Sequence, residues 1–304
     1  MTLEEDAENL RSAMKGLGTD EDKIIKIVAN RTQKQRLEIQ KIYKEKFNRD
    51  LIKDLKDELR GKLEDAIVNL FKDPIEYDCE QLKKSMKGAG TDEDSLIEIL
   101  CSRPKPILEK IKEVYKTHIK SDLIANIKSD IKGELQTLLL GIVDGNRSDN
   151  MYPNPEVMKT KAKELYDAGE AKKGTDNEVF YKILTQLSAW EIIAVNKEYI
   201  NLTGHDLIEG IEKEFKGNIK KTLKTIIYSI VNPSEFFATR VKDAIKGFGT
   251  NDNLLMRILI SRDEIDMPQI KSAYQKLYGK DMVKDIKSDI SGDYQKLMVE
   301  LCDH

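Results

Sequence analysis

Residues 14–22 read MKGLGTDED, and residues 86–94 read MKGAGTDED. Glycines two apart, followed by threonine and then acids, form too particular a string to recur by accident, and the string supplies a frame for the whole chain. With its second glycine as origin, the first two copies start at Gly18 and Gly90, and the glycine–threonine step returns at Gly174 and Gly249. Twenty-five residues past the origins stand Tyr43, Tyr115, Tyr199 and Tyr274, and thirty-two past them stand Asp50, Asp122, Asp206 and Asp281. Forty residues on lie Glu58, Asp130, Glu214 and Asp289, a carboxylate each time, and forty-three on lie Gly61, Gly133, Gly217 and Gly292. The chain is four copies of one unit, and repetition at such a period marks stacked supersecondary modules.

The origins are 72, 84 and 75 residues apart, so the longest interval separates the second and third copies. That interval contains DGNRSDNMYPNPE, residues 144–156, whose Gly, Asn, Ser and Pro content marks a linker. The expected organisation is repeats at 1–73 and 74–144, a linker at 145–157, and repeats at 158–232 and 233–304. Two halves of two units each should result, divided at the linker.

Within a unit the apolar spacing is helical. Ile24, Ile27, Val28 and Arg31 follow the first turn at three- and four-residue steps. Thr19 with Asp22, Thr91 with Asp94 and Thr175 with Glu178 resemble capping boxes, which predicts that the threonine opens a helix. LEIQKIYKEKF, RDLIKDLKDEL and LEDAIVNLF supply later helices of the first unit, giving about five short helices per unit. Alternating β-branched runs and Asn-Gly hairpins are lacking. The fold class read from these patterns is all-α, built from four stacked repeats.

Composition narrows the function. The chain has 304 residues, 39% of them hydrophobic, enough for a sizeable core. Its 51 basic and 54 acidic residues are interspersed rather than gathered into a basic stripe, which argues against nucleic-acid binding. The opening MTLEEDAENLRSAMK has acids where a signal peptide needs basic residues and an apolar core, so none is expected, and no apolar run approaches the roughly 20 residues of a membrane span. A soluble, cytoplasmic protein is expected, with Cys79, Cys101 and Cys302 reduced and packed. His118, His205 and His304 have neither metal nor triad spacing, so no enzyme is expected. Trp190, in LSAWEIIAV, is expected in the core, and KDLKDELRGKLED reads as a solvated helix face laced by i,i+4 pairs.

The turn and the distant acid suggest hard-cation chemistry. Closely spaced glycines reach backbone conformations that let several carbonyls point at one place. Ca²⁺ takes six to eight oxygens at about 2.3–2.6 Å in tolerant geometry, so carbonyls, one carboxylate and water make a workable shell. The acid forty residues on, in DELRG, SDIKG, KEFKG or SDISG, supplies the carboxylate. A glycine turn before a helix could instead be an anion nest, but a fixed carboxylate repels phosphate and attracts metal. The turn could also be connecting geometry alone, with the acid capping a helix. Four copies in which Asp and Glu interchange favour a function that needs a carboxylate. Neither a Walker lysine pattern nor an EF-hand loop is present.

These residues carry a resemblance to the annexins over essentially the whole chain: M/L-K-G-x-G-T, an acid about forty residues later, four roughly 70-residue repeats and a longer central connector. The resemblance implies five-helix right-handed superhelical repeats in a curved disc, with Ca²⁺ loops on the convex face. It implies carbonyls of Met14, Gly16 and Gly18 with Glu58 as a first metal site, and Met86, Gly88 and Gly90 with Asp130 as a second. Ile245, Gly247 and Gly249 with Asp289 form the fourth, and the longer third loop, AGEAKKGTD, offers Gly169, Lys172 and Gly174 with Glu214. Lys173 stands where some members expose tryptophan to lipid, so this loop would meet headgroups by charge. Arg31, Arg103 and Arg262 fit the family pattern thirteen residues past the origins, but the third unit has Leu187. The implied function is reversible, Ca²⁺-dependent binding to acidic phospholipid membranes bearing phosphatidylserine-like headgroups. Such a protein is cytoplasmic and peripheral on membranes when calcium rises. The family also suggests a monomer in solution and a trimer or lattice on membranes, with ion passage through a polar centre in some members. Because little precedes the first helix, no tail-dependent protein partner is expected. The rival is a helical-repeat scaffold whose protein binding ignores calcium.

Overall fold

The computed structural model describes residues 2–16, 18–88, 90–247 and 249–303, and among them every regular element is helical. The first repeat comprises α1 (Leu3–Ala13), α2 (Glu21–Ala29), α3 (Gln33–Phe47), α4 (Leu51–Glu58) and α5 (Gly61–Leu70). The second comprises α6 (Pro74–Ser85), α7 (Glu93–Ser102), α8 (Lys105–Val114), α9 (Leu123–Asp130) and α10 (Gly133–Val143), with α8 running on into a π turn at Tyr115–Ile119. The third has α11 (Pro155–Ala168), α12 (Asn177–Gln186), α13 (Ala189–Thr203), α14 (Leu207–Glu214) and α15 (Gly217–Val231). The fourth has α16 (Pro233–Ala244), α17 (Asp252–Arg262), α18 (Met267–Tyr278), α19 (Met282–Asp289) and α20 (Gly292–Glu300). Five helices per repeat thus hold throughout. Three of the repeats begin on proline at the first helical position, where the missing N–H has no partner to lose. No helix among the described residues is long and apolar enough to cross a membrane.

The expected division into sequential halves is wrong. One compact unit is Met1–Tyr77 with Phe237–His304, and the other is Asp78–Phe236. The first repeat therefore packs with the fourth, and the second with the third. In the outer pair α2 and α5 lie against α20, and α5 also touches α17; in the inner pair α7 packs on α15 and α10 on α12. The second and fifth helices of each repeat form these contacts because their apolar surface is too broad for one repeat to cover. In α7, every residue from Ser95 to Cys101 is buried. The linker is no free hinge within its unit. Ser148 N donates to Gln186 O at 2.7 Å, Arg147 Nε to Leu187 O at 2.8 Å, and Lys105 Nζ to Arg147 O at 2.8 Å. Its composition marks irregular backbone, but its polar groups bond the repeats on either side.

The threonines do not cap. The N-caps lie one residue later, at Asp20, Asp92, Asp176 and Asn251; the side chains of Asp20, Asp92 and Asn251 accept from Lys23 N, Ser95 N and Leu254 N at 3.0, 3.0 and 3.1 Å, and that of Asp176 makes no cap bond. A carboxylate or amide oxygen serves as cap acceptor, which leaves the threonine hydroxyl free to donate elsewhere. Trp190 also departs from expectation: at the second position of α13 its side chain faces solvent and is 53% exposed. Cys79, Cys101 and Cys302 are buried and unpaired with one another. His304 lies outside the described residues.

Two side-chain networks account for residues that recur at fixed distances from the four origins. Twelve residues before and thirteen after each origin stand Asp6 and Arg31, Asp78 and Arg103, Ala162 and Leu187, and Phe237 and Arg262. Arg31 Nε meets Asp6 at 2.7 Å, and Arg103 grips Asp78 through Nε and Nη2 at 2.7 and 2.9 Å. In the third repeat both members are apolar and buried. In the fourth, Phe237 takes the aspartate's place, Arg262 lies 4.3 Å over its ring and turns to Asp266 at 2.7 Å. Loss of the third arginine is therefore matched by loss of its carboxylate. The second network is the buried tyrosine. Tyr43 Oη donates to Asp54 and Tyr274 Oη to Asp285, both at 2.7 Å, and Asn126 donates to Tyr115 Oη at 2.8 Å. Asp54, in the stretch expected to be a solvated face, is instead buried, and Arg49 reaches it at 2.6 and 2.7 Å.

Replacing Arg103 by Leu should strand Asp78 and cost about 3–5 kcal/mol. The double change R103L/D78A, which copies the third repeat, should recover most of that loss in urea unfolding. A second expectation concerns pH. Hydrogen bonding from Arg49 holds the Asp54 carboxyl below the ordinary carboxylate range, with Tyr43 assisting against the opposing effect of burial. Its contribution is therefore complete above the unfolded value near ~4 and is lost as pH falls through the depressed folded value. Burial and the Asp54 bond push Tyr43 up to about 12, so its contribution holds below the unfolded value near ~10 and disappears as pH rises through about 12. Unfolding profiles of D54N and Y43F should be flatter than the natural chain's on the acid and alkaline limbs respectively.

Candidate functional site

Each repeat places its glycine turn between its first two helices. Gly16 and Gly18 have φ of 116° and 88°, Gly88 and Gly90 103° and 102°, and Gly247 and Gly249 112° and 88°. A side chain is strained in this region, and the paired positive values fold the backbone back on itself. The N–H two residues past the origin closes the loop onto the preceding helix: Asp20 to Ala13 O at 2.9 Å, Asp92 to Ser85 O at 2.8 Å, and Asn251 to Ala244 O at 2.7 Å. Met14 and Ile245 are buried at the base of their loops and Met86 is half-buried, while no atom lies within 4 Å of where a Cβ would sit on any of the six glycines.

The third loop is built differently. It carries one more residue, closes through Asp176 N to Ala168 O at 2.8 Å, and has one positive-φ glycine, Gly174 at 85°. Gly169 ends α11 with φ of −124°, and a Cβ there would meet Glu214 Cγ and the Phe180 ring at 3.2 Å. The loop's start and the distant acid are thus in direct proximity. Lys172 and Lys173 are exposed.

The acids Glu58, Asp130, Glu214 and Asp289 are the last residues of α4, α9, α14 and α19. A two-residue turn then leads to Gly61, Gly133, Gly217 or Gly292, each with φ between 56° and 70°. The hydroxyls released from capping reach these acids. Thr19 Oγ1 donates to Glu58 Oε2 at 2.8 Å, Thr175 to Glu214 Oε2 and Thr250 to Asp289 Oδ2. In three repeats the threonine that ends the glycine turn therefore touches the acid thirty-nine residues further along the chain. The second repeat differs, because Ser129 Oγ donates to Asp130 Oδ1 at 2.8 Å. Met86, Gly88 and Gly90 share its repeat without that threonine link.

The donor set suits a hard cation. In the first, third and fourth repeats a carbonyl-bearing loop is joined by its threonine to one carboxylate, and among the described residues no group of three or more His, Cys, Asp or Glu could hold a metal without carbonyls. Cations of the Ca²⁺ type accept such all-oxygen shells with water completing them. Sequence reasoning missed Glu170. Its Oε1 accepts from Tyr199 Oη at 2.6 Å, replacing the partner that Asp54, Asn126 and Asp285 provide in the other repeats. Burial opposes its charge, yet hydrogen bonds from Tyr199 and Lys213 outweigh that and hold its carboxyl below the ordinary range. The available signal was Gly210, which stands where the other repeats carry a polar side chain.

The Annexin family model matches residues 5–70, 77–142, 160–226 and 236–301. The chain is 42% identical to human annexin A7 over 296 residues, covering 97% of this chain and 61% of that protein. It is 41% identical to rabbit annexin A11 over 297 residues, covering 98% and 59%. It thus spans about three-fifths of the length of those relatives. Among solved structures, annexin III superposes with a TM-score of 0.94 at 37% identity, covering 100% of this chain and 94% of the other. A calcium-bound annexin, (Sm)1, superposes at 0.88 with 30% identity, covering 100% and 90%.

Replacing Gly249 by Ala should cost about 1 kcal/mol, from backbone strain alone, since space for the methyl is open. Gly210→Ala should cost more, because its Cβ would lie 2.7 Å from Tyr199 Oη. Chemical denaturation of the two variants gives the comparison.

Proposed function

The chain belongs to the annexin family, and from that membership we propose that it binds acidic phospholipid membranes reversibly and in a Ca²⁺-dependent manner through its four interhelical loops. The observation that carries this reading is the hydroxyl bridge from Thr19, Thr175 and Thr250 to the acids forty residues past the origins. It joins an open carbonyl loop to its one carboxylate. The proposed ligand sets are Met14, Gly16 and Gly18 with Glu58; Met86, Gly88 and Gly90 with Asp130; Gly169, Lys172 and Gly174 with Glu214; and Ile245, Gly247 and Gly249 with Asp289. The proposed repeats are 1–73, 74–144, 158–232 and 233–304.

When bound, Ca²⁺ supplies open coordination positions that lipid phosphate oxygens can fill in place of water. The chain's part is to hold each shell half-complete. The positive-φ glycines bend the loop backbone, the helix-ending acid supplies the negative charge, and in the first, third and fourth repeats the threonine hydroxyl keeps that acid beside the loop. One carboxylate per shell implies weak intrinsic affinity, toward about 10⁻⁴ M, with membrane raising the apparent value by linkage. The formal charge of −3 disfavours an anionic surface until cations reverse its sign. Exposed Lys172 and Lys173 add positive charge to the third loop. A cytoplasmic protein that becomes peripheral on membranes as calcium rises, monomeric in solution and assembling as a trimer or lattice on the bilayer, fits this chemistry.

Co-sedimentation with phosphatidylserine vesicles tests the reading: binding should appear with calcium and vanish with chelator. Alanine at Glu58, Asp130, Glu214 and Asp289 together should abolish binding while leaving helical content unchanged. Equal sedimentation in chelator and in calcium would leave the protein-scaffold reading in its place.

A further inference from the structure

In the third repeat the carboxylate that meets the buried tyrosine comes from the loop itself. Four residues before the origins stand Met14, Met86 and Ile245 in three repeats and Glu170 in the third. Met14 and Ile245 are buried, so apolar side chains root their loops in the core. Glu170 also turns inward, but polar contacts hold it. Besides Tyr199 at 2.6 Å, it accepts from Lys213 Nζ at 3.2 Å, and His205 Nε2 lies 3.3 Å away. Lys213 is itself 3.1 Å from His205 Nε2 and from Glu209. Gly210 makes the room: a Cβ there would stand 2.7 Å from Tyr199 Oη and 3.0 Å from Glu170 Oε1.

Chain neighbours connect this cluster to the candidate metal shell. Glu170 directly follows Gly169, the first loop carbonyl of the third set, and Lys213 directly precedes Glu214, its carboxylate. One side chain therefore fastens the loop to the end of α14, the two segments that must converge. The corresponding bonds of Tyr43 and Tyr274 run to Asp54 and Asp285, on α4 and α19, and leave the loops out.

We propose that Glu170, anchored by Tyr199 and Lys213, is the positioning residue of the third loop and sets that loop's calcium affinity, a task apolar side chains perform in the first and fourth repeats. The proposal rests on the calcium reading given above. It makes the third tyrosine a determinant of metal affinity, whereas the first tyrosine is purely part of the core.

The test is calorimetric calcium titration of the full chain with one loop carboxylate retained. E58A/D130A/D289A keeps the third, and D130A/E214A/D289A keeps the first. On the third-loop background, E170A and Y199F should each raise Kd about tenfold, and E170Q, which still accepts the Tyr199 hydroxyl, should stay within about threefold. The pair E170A/Y199F should be no weaker than E170A alone, since both remove one bond. On the first-loop background, Y43F should lower the thermal midpoint and leave Kd unchanged. Lower thermal midpoints for E170A and Y199F with an unaltered third-loop Kd would mean a structural bond only, and the proposal fails. If the natural chain binds calcium but the third-loop background does not, the proposal fails alone. If the natural chain binds none, the calcium reading fails and takes the proposal with it.

Discussion

A five-helix repeat of this kind has more apolar surface than it can cover. The second and fifth helices carry the excess: α7 is buried from Ser95 to Cys101, and α10 buries Leu135, Leu138, Leu139, Ile142 and Val143. Pairing those helices with the same helices of another repeat removes the exposed surface, and burial at about 25 cal/mol per Å² outweighs any single polar contact in the molecule. This constraint fixes which repeats form a compact unit, and it holds the first, third and fourth helices where they can carry polar networks. The loops are tied into a scaffold whose packing they do not themselves supply.

Within that scaffold, buried charge is handled by matching pairs. Asp6, Asp78 and Asp54 are almost fully buried, and each meets an arginine within 2.7 Å. An unpartnered carboxylate in such places would be strongly destabilising. The third repeat has exchanged both members of the first kind of pair for apolar side chains, and the fourth has exchanged the aspartate for an aromatic ring that accepts the guanidinium. Local chemistry varies among repeats, but at these positions no carboxylate is left without its arginine. The third repeat extends this exchange to the tyrosine network, where glycine at position 210 admits a glutamate from the loop.

The same division of labour governs the loops. Glycines with positive φ set the backbone, a neighbouring threonine donates to a remote acid, and an aspartate or asparagine one residue later caps the helix. Three adjacent residues thus have three separate tasks. Reading the threonine as the cap conflated two of them, because hydroxyl and carboxylate side chains have similar capping statistics but only the hydroxyl can donate.

Repetition, helical class, the five-helix count and the positions of the four acids were all legible in the chain itself. Each follows from periodicity and from residue types whose backbone preferences are local. The turn at Gly18 and the acid at Glu58 could be matched by counting, since their separation is the same in all four copies. Tertiary structure decided what counting cannot reach. It chose the first repeat as partner of the fourth, since burial rewards complementary surfaces regardless of their order along the chain. It also put Trp190 in solvent and Asp54 in the core, and turned Glu170 inward, because a side chain's direction depends on the neighbours that packing brings to it.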